Sequence, residues 1–444
     1  MSLLRRLASQ SAVIFVARLT GAGMMFVGQA AIARFWGQAV LGEYLVVIAT
    51  ANLVAAFMPL GFQTVGTYFA SEYRARAQGR MIRRFALMAY LQWLCMAALL
   101  AIGGLSAVRL IGPAGAVVAA HFPAMAMIAG VSALMFVNSS LLVGLKRPFA
   151  GFIADTLIRP SLVVAGFIVA LTLLEGGIDD MLNVFAIGYA AIGVAHFAVT
   201  LWSLRRIKDT GEPVPMGREV GRWWRFALPW VLIALATDFF FDIDLVVLSA
   251  ILPPAELAIF GVCARIFSLA AFGVSSVYAV TLPDVFEAEA GRDRVGFLKR
   301  IGDANLVAAG LSLVLFAFAG LLGPFALLLF GPGFLIGSGP LAVLCLSLAV
   351  RSAFGPTSLV LSIYDHPYAS LPAVAAGLAT LVGANLVLVP PFGLMGASVA
   401  ALIAISVWSA ALWVVARRIT GIDVSIMPRL TGATSLAAQL VSAK

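Results

Sequence analysis

The sequence predicts an all-α, polytopic membrane protein of about twelve transmembrane helices, with both termini cytoplasmic. Three observations carry that expectation. Hydrophobic residues make up 62% of the chain and charged residues 11%, with a mean hydropathy of +1.05. Apolar stretches of spanning length follow one another with short polar joins between them. The basic residues concentrate in alternate joins. A soluble domain carries roughly 25% charged residues, so 444 residues of this composition lack the polar side chains to cover a surface in water.

A hydrocarbon core takes about twenty mainly apolar residues per helix. On that rule helices fall near 12–34, 41–61, 83–105, 120–144, 151–174, 182–204, 225–251, 255–280, 302–329, 339–363, 369–390 and 395–417. Gly37-Gln38, Pro253-Pro254 and Pro390-Pro391 mark the tightest turns. The basic start, Met1 to Arg6, resembles a signal-peptide n-region, but the apolar stretch passes residue 30 without a cleavage site and reads as a retained first helix. Residues before about 11 fit an amphipathic helix on the inner leaflet, and the tail after about 420 is too polar for a thirteenth span.

Charge sets the orientation. With the N-terminus inside, the inner segments hold 23 of the 29 Lys and Arg residues, including Arg5, Arg6, Arg80, Arg83, Lys146, Arg222, Arg292, Arg294 and Lys444. The outer segments hold only Arg34 and Arg109, the split the positive-inside rule demands. Trp202, Trp223, Trp224, Trp413, Tyr364 and Tyr368 fall at inner ends and Trp36 and Tyr44 at an outer end, as an interfacial aromatic belt would. Basic residues sorted this way speak for topology and against a nucleic-acid partner.

Shifting the helix set by 216 residues lays six helices on six. Six is even, so both halves enter the membrane in the same direction, a parallel repeat of the kind transporters rock around a midplane site. The expected organisation is a six-helix lobe over 1–204, a basic linker over 205–224, a second lobe over 225–417 and a cytoplasmic tail over 418–444.

Several activities are excluded or disfavoured. There is no Gly-Lys pair, hence no phosphate-cradling ATPase loop, and no extramembrane segment is long enough for a soluble catalytic domain. An enzyme is not expected, nor a cofactor. His121, His196 and His366 lack metal-ligand spacing and read as structural or interfacial, so no metal site is expected. Cys95, Cys263 and Cys345 sit in apolar segments as small core residues, with no disulfide framework. Movement of a substrate would draw on an ion gradient, the substrate's own gradient, or a partner.

Charges within helices carry the chemistry. Arg18, Arg159, Arg265 and Arg351, with Asp155, Asp238, Asp242 and Asp244, fall in apolar stretches. A central Arg or Asp costs roughly 2.5–3.5 kcal/mol on insertion scales, so the arginines are expected to face a bundle interior or a wet cavity. Asp238 and Asp242, four apart, are expected to share a helix face, with Asp244 pointing elsewhere. Two readings stand for these groups. In one, Asp155–Arg159 and Asp244–Arg265 are neutralising ion pairs. In the other, arginines (Arg18, Arg265, Arg351) line a path for an anionic substrate and an aspartate (Asp238, Asp242 or Asp244) takes a coupling cation. Gly21, Gly23, Gly28, Pro229 and Pro356 allow close packing and bends, and Pro229 is also a candidate gate.

Four stretches carry a family likeness. Ala33-Arg-Phe-Trp-Gly37 with Leu41-Gly-Glu-Tyr44 resembles an "A-R-aromatic-x-G…x-G-x-Y" join, and Pro59-Leu-Gly-Phe62 an "x-L-G-aliphatic" turn. Asp244-Leu-Val-Val with Glu256-Leu-Ala-Ile-Phe260 and Ala264-Arg265 resembles "D-x-x-x-L-G…E-V-G-x-Y-x-x-A-x-R". Asn385-Leu-Val-Leu-Val-Pro390, Gly393-Leu-Met-Gly-Ala397 and Ala400 are similar to "N-x-x-L-I-P…G-x-x-G-A-x-x-A". These patterns resemble the polysaccharide-transport branch of the MATE-like MOP superfamily; Ala258, Phe260 and Ser249 depart from the usual Gly, Tyr and Gly. The resemblance implies two six-helix lobes in a V-shaped, alternating-access fold. It also implies a flippase for undecaprenyl-diphosphate-linked oligosaccharide in the bacterial inner membrane, serving O-antigen, capsule or exopolysaccharide assembly beside a polymerase and glycosyltransferases. By that analogy Arg18, Asp238, Asp242, Asp244 and Arg265 are cavity candidates. Rival expectations are a cation-coupled multidrug antiporter of the same superfamily and a non-transporting scaffold for polysaccharide assembly.

Overall fold

The computed structural model describes residues 3–110, 115–211, 215–290, 293–364 and 366–431, without the side chains of 3–12, 14, 15, 216, 279, 280, 282–290 and 294. The amphipathic face expected before residue 11, the side chains of Arg5, Arg6 and Arg294, and all of Arg292 and Lys444 lie outside the described residues. What is described is helical, apart from joins and one isolated β-bridge between Gln78 and Asp209.

By its contacts the chain divides into two compact units, Met1–Ala250 and Ile251–Lys444. The first holds α1 (Leu3–Trp36), α2 (Gln38–Phe57), α3 (Phe62–Ala75), α4 (Gly79–Leu110), α5 (Ala116–Ala120) and α6 (Phe122–Gly144). It continues with α7 (Pro148–Ile153), a π-helical turn (Ala154–Ile158), α8 (Arg159–Thr172), α9 (Ile178–Arg205), α10 (Met216–Asp238) and α11 (Phe240–Leu248). The second holds α12 (Pro254–Ala290), α13 (Arg294–Leu328), α14 (Ser338–Phe354), α15 (Thr357–Ile363), α16 (Leu371–Thr420) and α17 (Met427–Leu430), with 3-10 turns at Pro332–Gly337 and Pro367–Ser370.

Ten helices among the described residues are long and apolar enough to cross a membrane. The last of them, Pro367–Thr420, contains two of the twelve expected spans. Gly393 breaks it with φ 53°, and a Cβ on Gly396 would run into the Leu388 carbonyl, so the two halves make a tight hairpin. The expected seventh helix is divided at Phe239 into α10, 23 residues whose first half carries Arg218, Glu219, Arg222 and Arg225, and α11, nine residues, so neither piece is a span by itself. With these two allowances the chain is an all-α, multi-pass membrane protein of the expected kind.

The second helix differs from its expectation. Leu60 and Gly61 have positive φ (44° and 87°), and the chain then re-enters a helix, α3, in the stretch between the spans expected at 41–61 and 83–105. Gly61 is required twice over: by its left-handed φ, and because a Cβ there would collide with the Ala227 carbonyl of α10. Around that approach Phe62, Phe69, Tyr73, Phe85 and Trp223 form an aromatic core joining α3, α4 and α10. Trp223 is fully buried, its indole N–H donating to the Tyr73 hydroxyl at 2.7 Å, and Tyr44 is fully buried on α2. Neither is the interfacial residue the aromatic-belt expectation made it, because each fills space between helices. Cys95, expected in the core, is exposed on α4.

The basic end of the first unit is stapled by polar contacts. Arg222 makes a bidentate pair with Glu72 at 2.8 and 3.1 Å. The Arg80 N–H donates to Asp209 at 3.0 Å, and together with the Arg80 guanidinium it holds the Asp209 carboxyl below its ordinary value. In the second unit the segment after Gly421 folds back onto its own helices. Ile422 and Val424 pack with Phe297, Ile301 and Val360, and the Ile426 N–H donates to the Ala353 carbonyl at 3.0 Å. Gly355, with φ 79°, leaves room for the Val424 carbonyl where a Cβ would not.

Candidate functional site

The local event that shapes the first unit's interior is Pro160. A proline lacks the N–H to bond the carbonyl four residues back, and its ring crowds that carbonyl, which here belongs to Thr156. The helix answers by widening: residues 154–158 form a π turn in which the Arg159 N–H reaches back five residues to the Ala154 carbonyl. The displaced Thr156 carbonyl lies against Gly21 of α1, so close that a Cβ on residue 21 would overlap it. Gly28, about two turns on, has Val164 3.3 Å from the position a Cβ would take, whereas Gly23 has open space there among the described residues. Of the three glycines read as packing residues, Gly23 is therefore not one.

Asp155, on this turn, and Arg159, just after it, form an ion pair at 3.3 Å. The pair is the middle of a longer chain. The Tyr189 hydroxyl on α9 donates to Asp155 Oδ1 at 3.4 Å, and the Arg159 guanidinium sits 5.6 Å from the Tyr189 ring centroid. On its other side Arg159 Nη2 donates to Asn52 Oδ1 on α2 at 2.7 Å. Asn52 Nδ2 in turn faces both oxygens of Asp242 on α11, at 3.5 and 3.4 Å. Arginine only donates, so the Asn52 atom facing it must be oxygen, which turns the amide nitrogen toward the carboxylate.

Beside this chain lies a cavity of about 620 Å³ within the first unit, walled by α1, α3, α6, the π turn and α10. Arg18, Asp155 and Asp238 are its charged residues, and Phe136, Phe152 and Phe239 supply aromatic faces. The Arg18 guanidinium lies 5.2 Å from the Phe152 centroid, a cation–π contact, and among the described residues no carboxylate forms an ion pair with it. Asp155 belongs to both the cavity wall and the buried chain.

Asp238 and Asp242 do not share a face. The helix breaks between them at Phe239 (φ −122°, ψ 18°), leaving Asp238 exposed on the cavity wall and Asp242 buried against α2. Asp244, two residues on, is fully buried. Arg265, half-buried on α12, and Arg351 belong to the second unit. Arg351 is exposed at the end of α14 and lies 5.6 Å from the Trp408 ring on α16. Nearby the Tyr278 hydroxyl donates to Asn305 Oδ1 at 2.8 Å, and Asn305 Nδ2 donates to the Val424 carbonyl at 3.0 Å.

Asn52 and Tyr189 are polar members of the site that attention to charge alone passes over. A signal was available for Asn52: an amide in an otherwise apolar span is expensive unless it has a partner. The histidines hold structure. His196 Nε2 is 3.0 Å from the Ala150 carbonyl, and His121 Nδ1 is 2.7 Å from Asp179. Among the described residues no group of three His, Cys, Asp or Glu side chains is placed to hold a metal ion. The arrangement can bind, through cationic, anionic and aromatic groups on one wall, and can redistribute charge along a hydrogen-bonded chain.

No protein-family model matches the sequence. No curated protein sequence matches it significantly. Solved structures do. An inward-facing multidrug resistance MATE-family transporter of the MOP superfamily superposes with a TM-score of 0.73 at 18% identity, over 91% of this chain and 98% of that one. The lipid II flippase MurJ, in an inward closed conformation, gives 0.68 at 12% identity over 90% and 86%. A MOP-superfamily transporter from Pyrococcus furiosus, described as having a binding pocket of reversed polarity, gives 0.59 at 16% over 90% and 95%. At such identities the likeness is one of fold, and the solved structures that share it are those of transporters and flippases. This chain is a multi-pass membrane protein with the fold of the MOP-superfamily transporters.

Proposed function

We propose that the chain is a secondary flippase that carries undecaprenyl-diphosphate-linked oligosaccharide repeat units across the bacterial inner membrane by alternating access. Its product would feed O-antigen, capsule or exopolysaccharide assembly, with a polymerase and glycosyltransferases acting beside it. The observation that carries this reading is Arg18: a guanidinium on a cavity wall, backed by an aromatic ring and with no carboxylate in ion-pair contact among the described residues. Such a group offers several fixed donors to a diphosphate. Arg265 and Arg351 are the further cationic candidates, and Asp238, Asp242 and Asp244 the candidates for a coupling cation. The lipid tail would stay in the bilayer while the sugar crosses through water.

A second reading, a cation-coupled multidrug antiporter, draws support from the same cavity, because Asp155, Asp238 and three phenylalanines suit an organic cation. The two separate in proteoliposomes of the full-length chain. The flippase reading expects a fluorescent undecaprenyl-diphosphate disaccharide to change leaflets and ethidium not to be taken up. It also expects Arg18→Ala and Arg265→Ala to abolish lipid movement at near-native membrane abundance. Ethidium uptake without lipid movement would replace it with the antiporter, and polymer export in cells that survives both substitutions would leave only a scaffold.

A further inference from the structure

We infer that Asn52 is a positioning residue for ion coupling, the link through which the charge on Asp242 acts on the Arg159–Asp155 pair at the cavity wall. The inference rests on the transport reading for its purpose, but its geometry stands apart from any substrate. Asn52 is buried on α2, and its two amide ends meet helices far away in sequence: α8 through Arg159 and α11 through Asp242. An amide can accept from a guanidinium through its oxygen and donate to a carboxylate through its nitrogen at once; a carboxylate or an aliphatic side chain at 52 would lose one role or both.

The consequence is directional. While Asp242 is ionised it accepts from Nδ2, which polarises the amide and strengthens its oxygen as an acceptor from Arg159. Arg159 then divides its donors between Asn52 and Asp155. When a proton or metal cation neutralises Asp242, that pull weakens and Arg159 is left to Asp155, the carboxylate the cavity sees. Asp238 at the end of α10 and Asp244 on α11 are the charged groups nearest to Asp242 in the chain, and the Tyr44 hydroxyl of α2 lies close enough to Arg159 to act on it. Binding of a coupling ion at a buried carboxylate is thereby felt at a wall that touches substrate, with Asn52 as the intermediate.

The test uses the purified full-length chain in proteoliposomes with the fluorescent undecaprenyl-diphosphate disaccharide, with and without an imposed proton or sodium gradient. Asn52→Leu is expected to lower the gradient stimulation by about tenfold, the effect of losing a hydrogen bond to a charged group. The exchange Asn52→Asp with Asp242→Asn keeps one carboxylate and one amide in the chain and is expected to restore most of that stimulation. A readout free of substrate is infrared titration of the carboxyl signal that Asp242→Asn removes. In Asn52→Leu its midpoint is expected to move by about one pH unit. Native stimulation and an unmoved midpoint in Asn52→Leu overturn the inference, as does a folded exchange variant no better than Asn52→Leu. If the native chain moves no labelled lipid, the flippase reading fails and the titration alone decides the role of Asn52: a moved midpoint upholds it, an unmoved one overturns it.

Discussion

In the first unit the polar groups buried between helices meet one another: Tyr189, Asp155, Arg159, Asn52 and Asp242 run from α9 to α11 through side chains alone. In the second unit the buried side chains that meet one another, such as Ser312 and Ser352 at 2.8 Å, are neutral. Arg351 lies against Trp408, and Tyr278 reaches the Val424 carbonyl through Asn305. Adding a proton or a cation rearranges a chain of the first kind, because its members are ionised. It leaves a contact of the second kind largely as it was, since neither an indole nor a peptide carbonyl titrates. Among the described helix interiors the first unit thus holds an ionised chain, whereas the ion pairs of the second, Asp303–Arg429 and Asp423–Arg417, tie down its strap.

The largest expected difference comes from deleting a cation in each. Arg159→Met leaves Asn52 without its donor and Asp155, half-exposed on the cavity wall, without its partner, and is expected to cost about 2–3 kcal/mol, the effect of losing hydrogen bonds to a charged group. Arg351→Met removes a cation–π contact at an exposed site, worth about 0.5–1 kcal/mol. Unfolding of the purified protein in detergent by denaturant measures both, and equal costs would erase the contrast. Next in size is the pair Gly21→Ala and Gly23→Ala. The first forces a methyl into the Thr156 carbonyl and is expected to cost about 1–3 kcal/mol through overpacking. The second enters open space on a helix and is expected to raise stability by up to about 1 kcal/mol. Melting temperatures of the two variants settle whether the π turn depends on α1's approach.

The smallest effect is one of pH and compares the extramembrane carboxylates of the units. Burial pushes the Asp423 carboxyl up, but hydrogen bonds from Trp413 and Ser425 and the nearby Arg417 outweigh it and leave it below the ordinary 3.8. Asp209 in the first unit is likewise held low, chiefly by the Arg80 N–H. A lowered native value means that each contribution is complete above the ordinary carboxylate value and disappears as the pH falls through the native one. Asp423→Asn is expected to remove about 1 kcal/mol or less at neutral pH. It should also flatten the acid limb of the second unit's unfolding while leaving the first unit's limb to Asp209.

Helix number and the i, i+4 neighbours Asp155 and Arg159 were legible in the sequence because both depend on residues a turn or a span apart. The hairpin at Gly393 was legible for the same reason, its prolines and glycines sitting together. Two features were not. The break at Phe239 carries neither glycine nor proline, so the separation of Asp238 from Asp242 has no local mark. Asn52 declared itself polar but not by whom it would be met, since Arg159 lies 107 positions away and Asp242 190.

The amino-acid sequence by itself determined the solvent, the spans and the placement of basic residues, because transfer into hydrocarbon is decided residue by residue over some twenty positions. It also supplied Pro160, whose missing N–H the π turn accommodates. Tertiary structure alone decided which charge answers which. Partner choice for a buried ion depends on distances of a few ångströms between helices far apart in the chain, and no local pattern encodes those distances.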